Sequence, residues 1–298
     1  MDGAIFLQQV VNGMSLGGMY ALIAIGYTMV YGVLRLINFA HADVMMVGAF
    51  STLFLFSSVG LPFGVAVFLT LGLCGLFGML IDRVAYRPLR QASKISMLIT
   101  AIGVSFFLEN LFNVLFGGSS RFFSAPDFFN QTRAFGSVII TNVAWIVPLI
   151  TVLLLAILWL LYRTRYGMAI RAVAFDVNTV RLMGIDANRI ISLVFALGSS
   201  LAALGGVFYS ISYPTIDPLM GVLIGLKAFA AAVLGGIGSV TGAVLGGFIL
   251  GFTEVVAVAI FPELGGYKDA FAFLFLILVL LFRPVGIMGD ERLERSRF

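Results

Sequence analysis

The feature that most constrains this chain is the length of its apolar runs. They recur near 12–34, 39–59, 61–81, 95–116, 143–162, 190–213, 219–235, 240–260 and 265–282. Crossing a hydrocarbon core of about 30 Å takes roughly 20 helical residues at about 1.5 Å each, and most of these runs are that long. Backbone in lipid must satisfy its own hydrogen bonds, which for continuous runs of this kind means helices. Composition agrees, with 61% hydrophobic and only 11% charged residues. A water-facing surface would need roughly twice that charge to avoid large exposed apolar patches. The expected fold is all-α: one polytopic membrane helix bundle over 1–298, with about 8–9 spans and some helices broken or re-entrant. The stretch Ile5 to Leu34 is too long for one untilted span, so a break around Gly17-Gly18 is expected. Whether 219–235 and 240–260 cross fully or form a re-entrant hairpin stays open at this level.

Basic residues set the orientation. Of 18 Lys and Arg, 14 fall in segments that alternation places on one side. These are Arg35; Arg83, Arg87, Arg90 and Lys94; Arg163, Arg165, Arg171, Arg181 and Arg189; and Arg283, Arg292, Arg295 and Arg297. Opposite lie Arg121, Arg133 and Lys268, and Lys227 falls within a span. The positive-inside bias therefore puts the N-terminus outside and the C-terminus in the cytoplasm. The net charge of +4 has this topological origin and does not point to nucleic acid. No secretory signal is expected, because the start lacks a basic n-region and the apolar run does not stop after about 15 residues.

Several chemistries are excluded by counting. The single cysteine, Cys74, allows no internal disulfide, and the single histidine, His41, allows no multi-His metal site. The lysines Lys94, Lys227 and Lys268 follow Ser93, Leu226 and Tyr267, so there is no phosphate-binding GxxxxGK[ST] loop. Gly235-Gly236-Ile237-Gly238-Ser239 lacks a βαβ setting and reads as the turn between two short helices. An intramembrane protease would need GxSG with a partner histidine, or GxGD. Gly198-Ser199-Ser200 and Gly286-Ile287-Met288-Gly289-Asp290 supply neither.

The 34 glycines are patterned rather than scattered. Gly13 with Gly17, Gly72 with Gly75 and Gly78, and Gly238 with Gly242 and Gly246 each share a helix face, where a neighbouring backbone can approach closely. Helix packing is the favoured reading over a glycine-lined path. Ionisable residues inside spans cost roughly 2.5–3.5 kcal/mol at a helix centre and so need a reason. Glu254 and Lys227 are candidates for the translocation path or a subunit interface, and could pair across adjacent spans; the alternative is a structural ion pair or a snorkelling lysine. Glu109 and Asn113 lie one turn apart and suit hydrogen bonding between helices. Asn38 is expected to cap the second span, with Asp43 near its positive end. Asn38 and His41 are also candidates for the translocation path or a gate, and His41 for a docking contact.

The segment 163–189 is long for a connection, 27 residues where about five would serve. Met168 to Phe175 reads as one short helix. Asp176 or Asn178 caps a second that runs through Met183, and Gly184 suits the position after it. Its apolar set, Ile170, Val173, Val177, Val180 and Met183, suits docking to another protein, or alternatively lying on membrane lipid.

Asn178-Thr179-Val180-x3-Gly184 is similar in position and spacing to the coupling loop of ABC importer permeases, Glu-Ala-Ala-x3-Gly, although its first three residues depart from that pattern. Asn12-Gly13-Met14-Ser15-Leu16-Gly17-Gly18-Met19-Tyr20-Ala21-Leu22, Gly26-Tyr27-Thr28-Met29-Val30-Tyr31-Gly32 and Ile37-Asn38-Phe39-Ala40-His41 resemble branched-chain amino acid permeases of the LivH type. So do Arg181-Leu182-Met183-Gly184-Ile185-Asp186 and Gly235 through Gly247. The resemblance implies one transmembrane permease subunit of an ATP-driven importer for leucine, isoleucine and valine, set in the bacterial cytoplasmic (inner) membrane. It implies a coupling loop with Asp176, Asn178, Thr179, Arg181 and Gly184 at the contact. The implied partners are a second, paralogous permease, two ABC ATPases that bind the ATP, and a periplasmic or extracellular substrate-binding protein. No cofactor of the chain's own is expected. Related permeases for urea or short amides, and an ion-coupled secondary amino acid transporter with broken midplane helices, are the alternatives. The scarcity of paired membrane carboxylates weighs against the second.

Overall fold

The computed structural model describes residues 3–289 apart from Gln91 and Ser137. Arg292, Arg295 and Arg297 of the basic tail lie outside the described residues. The chain is an all-α bundle. It opens with α1 (Gly3–Leu34), α2 (Ala40–Leu53), α3 (Phe63–Ile81) and α4 (Lys94–Phe116). A short irregular region then holds β1 (Arg121–Phe122), α5 (Asp127–Asn130), β2 (Thr132–Phe135) and β3 (Val138–Thr141). It is followed by α6 (Asn142–Arg163), α7 (Arg165–Phe175), α8 (Val177–Leu182) and α9 (Ala187–Ser212). β4 (Thr215–Ile216), α10 (Met220–Gly235), α11 (Val240–Ile260) and α12 (Lys268–Phe282) complete it. Wider helical turns over Phe54–Ser58 and Asp82–Tyr86 carry α2 and α3 past their regular ends.

The bundle has two faces. On the first, Gln8 near the start of α1 exchanges hydrogen bonds with the backbone of Ile139, at 2.9 and 2.8 Å. The β2–β3 hairpin lies here, in the register Thr132↔Thr141 to Phe135↔Val138, and β1 pairs with β4 (Arg121↔Ile216). On the second face, Ile287 and Met288 donate backbone hydrogen bonds to Leu234 and Gly235, both at 2.9 Å. α10 therefore begins beside the strands of one face and ends at the other, so it runs the whole way through. At 16 residues it measures roughly 24 Å. It packs on α1, α2, α11 and α12 and leaves Val222, Leu223 and Leu226 exposed. Among the described residues, eight helices are long and apolar enough to cross a membrane, and α10 is a ninth that runs face to face.

α1 departs from expectation. It is one unbroken helix of 32 residues, with no break at Gly17-Gly18. The glycines there serve close approach. A β-carbon on Gly17 would lie 2.6 Å from the Phe248 α-carbon, and one on Gly13 would lie 2.9 Å from that of Phe252. α1 and α11 thus pack backbone to backbone, and the contact offsets the roughly 1 kcal/mol a helical glycine costs. Gly75 and Gly78 pack on α9, but Gly72 faces open space and is no part of that seam. The turn between α10 and α11 is as expected, with Gly236 and Gly238 both at φ +102° and Ser239 capping α11; Gly238 therefore precedes the helix and does not share a face with Gly242 and Gly246.

α1 is buried continuously from Ser15 to Val30, whereas α12 is buried at almost no position. α3, α4, α6 and α12 present large apolar side chains outward, Phe68, Val114, Leu153 and Leu281 among them. This is the arrangement of a bundle whose outer surface faces lipid.

Candidate functional site

The first face opens into a cavity of about 670 Å³ between α1, α6, α9 and α11. Asn12, Ser15, Ser212, Tyr213 and Lys268 line it alongside Leu16, Met19, Val143, Val255 and Val258, with Glu254 set deep in the wall. Glu254 is 2% exposed. Its Oε1 accepts from Lys227 Nζ at 2.8 Å and its Oε2 accepts from the Tyr20 hydroxyl at 2.9 Å. Lys227 also forms an ion pair with Asp269 at the start of α12. Four helices, α1, α10, α11 and α12, thus meet on one buried charge cluster, which is how charge can be held inside an apolar bundle. Lys268 lies next to Asp269 in sequence, with its Nζ 5.9 Å from the Tyr213 ring centroid.

Of the residues singled out from sequence, the structure brings Lys227 and Glu254 together. It places Asn38 and His41 elsewhere. The side chain of Asn38 does not cap α2; its Oδ1 accepts from the Tyr86 hydroxyl at 2.6 Å. The fully buried Tyr86 phenol takes that oxygen as its acceptor. His41 is packed against Gly26 and Gly198, with the Tyr27 ring at 4.7 Å edge-on. Neither residue lines the cavity. Asp43 sits in the first turn of α2 and accepts from the Ser105 hydroxyl. Glu109 is 8% exposed, and Asn113 packs its side chain on Gly118, so these two do not form a joint contact between helices.

On the second face, α7 and α8 form an elbow. Thr164 caps α7, and Asp176 leaves the helical conformation (φ −154°, ψ 109°) to make the bend. The Thr179 hydroxyl donates to the Asp176 carboxylate. Gly184 ends α8 at φ +78°, a left-handed conformation that favours glycine. Asn178 lies in α8, its side chain outside the described residues. Arg181 is exposed.

The apolar set expected to dock does not all face outward. Ile170, Val173 and Val180 are 2%, 1% and 3% exposed. They seat the elbow on its own bundle, where α7 packs on α1, α6 and α9. The outward apolar surface is Phe175, Leu182 and Met183. An amphipathic pattern says that one face is buried but not against what. Beside the elbow, Asp82 accepts from Arg90 and from Ser192 (2.6 Å), and Arg90 donates to Asn188 (2.6 Å). This polar clamp holds the end of α3 on α9.

Sequence reasoning missed Tyr20, Asp269, Lys268, Phe175 and Leu182. Asp269 carried one signal, an acid at the start of an apolar run with no basic neighbour on the same helix face. The remaining four look like ordinary residues of their helices.

A family profile described as branched-chain amino acid transport system / permease component matches residues 9–280. BraD of Pseudomonas aeruginosa, a high-affinity branched-chain amino acid transport system permease protein, is 43% identical, with 97% of this chain and 98% of BraD covered. LivH of Escherichia coli, which carries the same description, is 41% identical with 97% of each chain covered. The autoinducer 2 import system permease protein LsrC of Klebsiella pneumoniae is 34% identical over half of this chain and 46% of its own length. The match over nearly the full length, on an all-α bundle with eight span-length helices among the described residues, leads to one conclusion. This chain belongs to the family of branched-chain amino acid transport system permease components.

Proposed function

We propose that this chain is the membrane-spanning permease subunit of an ATP-driven importer of leucine, isoleucine and valine. In this reading it pairs with a second, paralogous permease. It is energised by two ABC ATPases on the basic face and loaded by a binding protein on the opposite face. It sits in the bacterial cytoplasmic membrane with its N-terminus outside and its C-terminus inside, an orientation that the basic residues of the second face support. The chain itself acts as a path and not as an enzyme.

The observation that carries this reading is the α7–α8 elbow. It exposes Phe175, Leu182 and Met183 with Arg181 on the basic face, and it is anchored by buried Ile170, Val173 and Val180. A solvent-exposed apolar patch on a rigid base is what a partner protein docks on. Closure of the ATPases on ATP pulls on the elbow, and its anchoring passes that motion to α9 and α1. The bundle then alternates between outward and inward opening.

Two measurements test this. Uptake of leucine into proteoliposomes is expected to need the ATPase subunits and internal ATP; uptake on a cation gradient alone would overturn the reading. Arg181→Glu, or Gly184→Trp at its left-handed backbone, is expected to reduce ATP-driven uptake by about tenfold or more and to abolish ATPase pull-down. Membrane insertion should be unchanged in both. Normal pull-down by both variants would move the docking surface off the elbow.

A further inference from the structure

The cavity of the first face is polarised, and we propose that it seats the zwitterionic head group of an α-amino acid, the ammonium on Glu254 and the carboxylate on Lys268. The proposal rests on the transport reading above and adds a recognition site within this chain.

The charge count comes first. Among the described residues, Lys227 is the one cation that contacts Glu254, and it also contacts Asp269. One positive charge facing two carboxylates leaves a formal surplus of −1. The Tyr20 hydroxyl donates a hydrogen bond to Glu254 but brings no charge. Each Glu254 oxygen accepts one bond, and a carboxylate offers about four lone-pair positions, so it can take further donors from the cavity side. Lys227 divides its one charge between buried Glu254 and the 31%-exposed Asp269, so Glu254 is only partly compensated, and an arriving ammonium would complete its neutralisation.

The second element is Lys268. It lines the same cavity, it forms no ion pair among the described residues, and its partner is the face of Tyr213. Ser212, on the same wall, holds a buried hydroxyl oxygen without a partner among the described residues. A simple cation would be repelled by Lys268 and a simple anion by Glu254. A molecule carrying both charges satisfies both. The same cavity is lined by the aliphatic side chains of Leu16, Met19, Val143, Val255 and Val258, suited to a branched apolar side chain. The volume falls within the roughly 300–1,000 Å³ of small-molecule sites. Head-group charge fixes orientation here, while the smooth wall distinguishes leucine, isoleucine and valine only weakly.

The test uses the assembled importer, both permeases with the ATPases, solubilised without the binding protein, and radiolabelled leucine as the probe. Wild type is expected to bind leucine saturably. Neither 4-methylpentanoic acid, which lacks the ammonium, nor 3-methylbutylamine, which lacks the carboxylate, should compete at equal concentration. Glu254→Gln should weaken leucine binding about tenfold or more. Lys268→Met should weaken it similarly and make 3-methylbutylamine compete as well as leucine. Lys268 lies at the cavity rim, outside the buried cluster, so this variant decides the matter if Glu254→Gln does not assemble. No saturable binding by wild type, unchanged affinity in Lys268→Met, or competition by the acid as strong as by leucine would overturn the site. ATP-driven uptake by the complete wild-type system separates the two levels. If wild type imports leucine while the variants bind it normally, the site falls and the transport reading stands. If wild type imports no leucine, both fall.

Discussion

Lys227→Met is expected to destabilise the protein by about 3–5 kcal/mol, the usual result of removing one partner from a buried ion pair. The side chains of Lys227 and Glu254 are 5% and 3% exposed, so the orphaned carboxylate recovers only part of the lost interaction from the cavity side. Asp269 is 31% exposed and rehydrates more easily. The damage therefore concentrates on Glu254, which keeps only the Tyr20 hydroxyl. Heating in mild detergent, with the monodisperse fraction followed by size exclusion, should show the loss as a lower midpoint. The informative control is the double variant Lys227→Met/Glu254→Gln. It replaces an unpaired charge by a neutral amide that still accepts from Tyr20, and most of the lost stability should return. If the double variant is no more stable than the single, the cluster contributes through packing rather than charge.

Gly17→Leu is expected to cost about 3 kcal/mol or more, at or beyond the top of the usual range for overpacking. Its first side-chain carbon would stand 2.6 Å from the Phe248 α-carbon and 2.9 Å from the Gly247 carbonyl oxygen. Both obstacles are backbone, so no rotamer change relieves the clash. α11 would have to move as a body, and α1 is itself enclosed by α6, α9, α10 and α11. The variant should reach the membrane but fail to give a monodisperse protein. Gly72→Leu serves as the matched control, because nothing lies within 4 Å of a β-carbon there. Leucine is the better helix former by about 1 kcal/mol, so this substitution should be neutral or mildly stabilising. Equal behaviour of the two variants would contradict the close α1–α11 packing.

These two cases mark what could be read from the chain and what could not. Gly13, Gly17 and Gly72 all lie in glycine repeats of helical period, yet two face another backbone and one faces open space. Periodicity reports that glycines share a face of their own helix; it carries no information about what faces them. The unbroken course of α1 through Gly17-Gly18 has the same cause, since glycine weakens a helix alone but strengthens one pressed against a neighbour. Lys227 and Glu254 stood out because charge in an apolar run is costly wherever it sits. Their partners Tyr20 and Asp269 come from other helices, α1 and α12, and only the packing joins them. In the 163–189 segment the two short helices and the Gly184 stop follow from local capping and backbone rules. Which apolar side chains anchor the elbow and which stay outside depends on the bundle beneath it.

By itself, the sequence determined the membrane class, the number of spans to within one, the clustering of the basic residues and the family resemblance. Each of these is additive or local: hydropathy sums along a run, charge sums over a loop, and motifs are contiguous. The tertiary structure alone decided that α1 is the central helix and α12 a peripheral one, and that α10 runs face to face. It also decided that Glu254 and Lys268 share one cavity. The physical reason is that lipid and protein interior are equally apolar. A buried helix and a lipid-facing helix therefore carry the same kind of side chains, and composition does not reveal which neighbours each has.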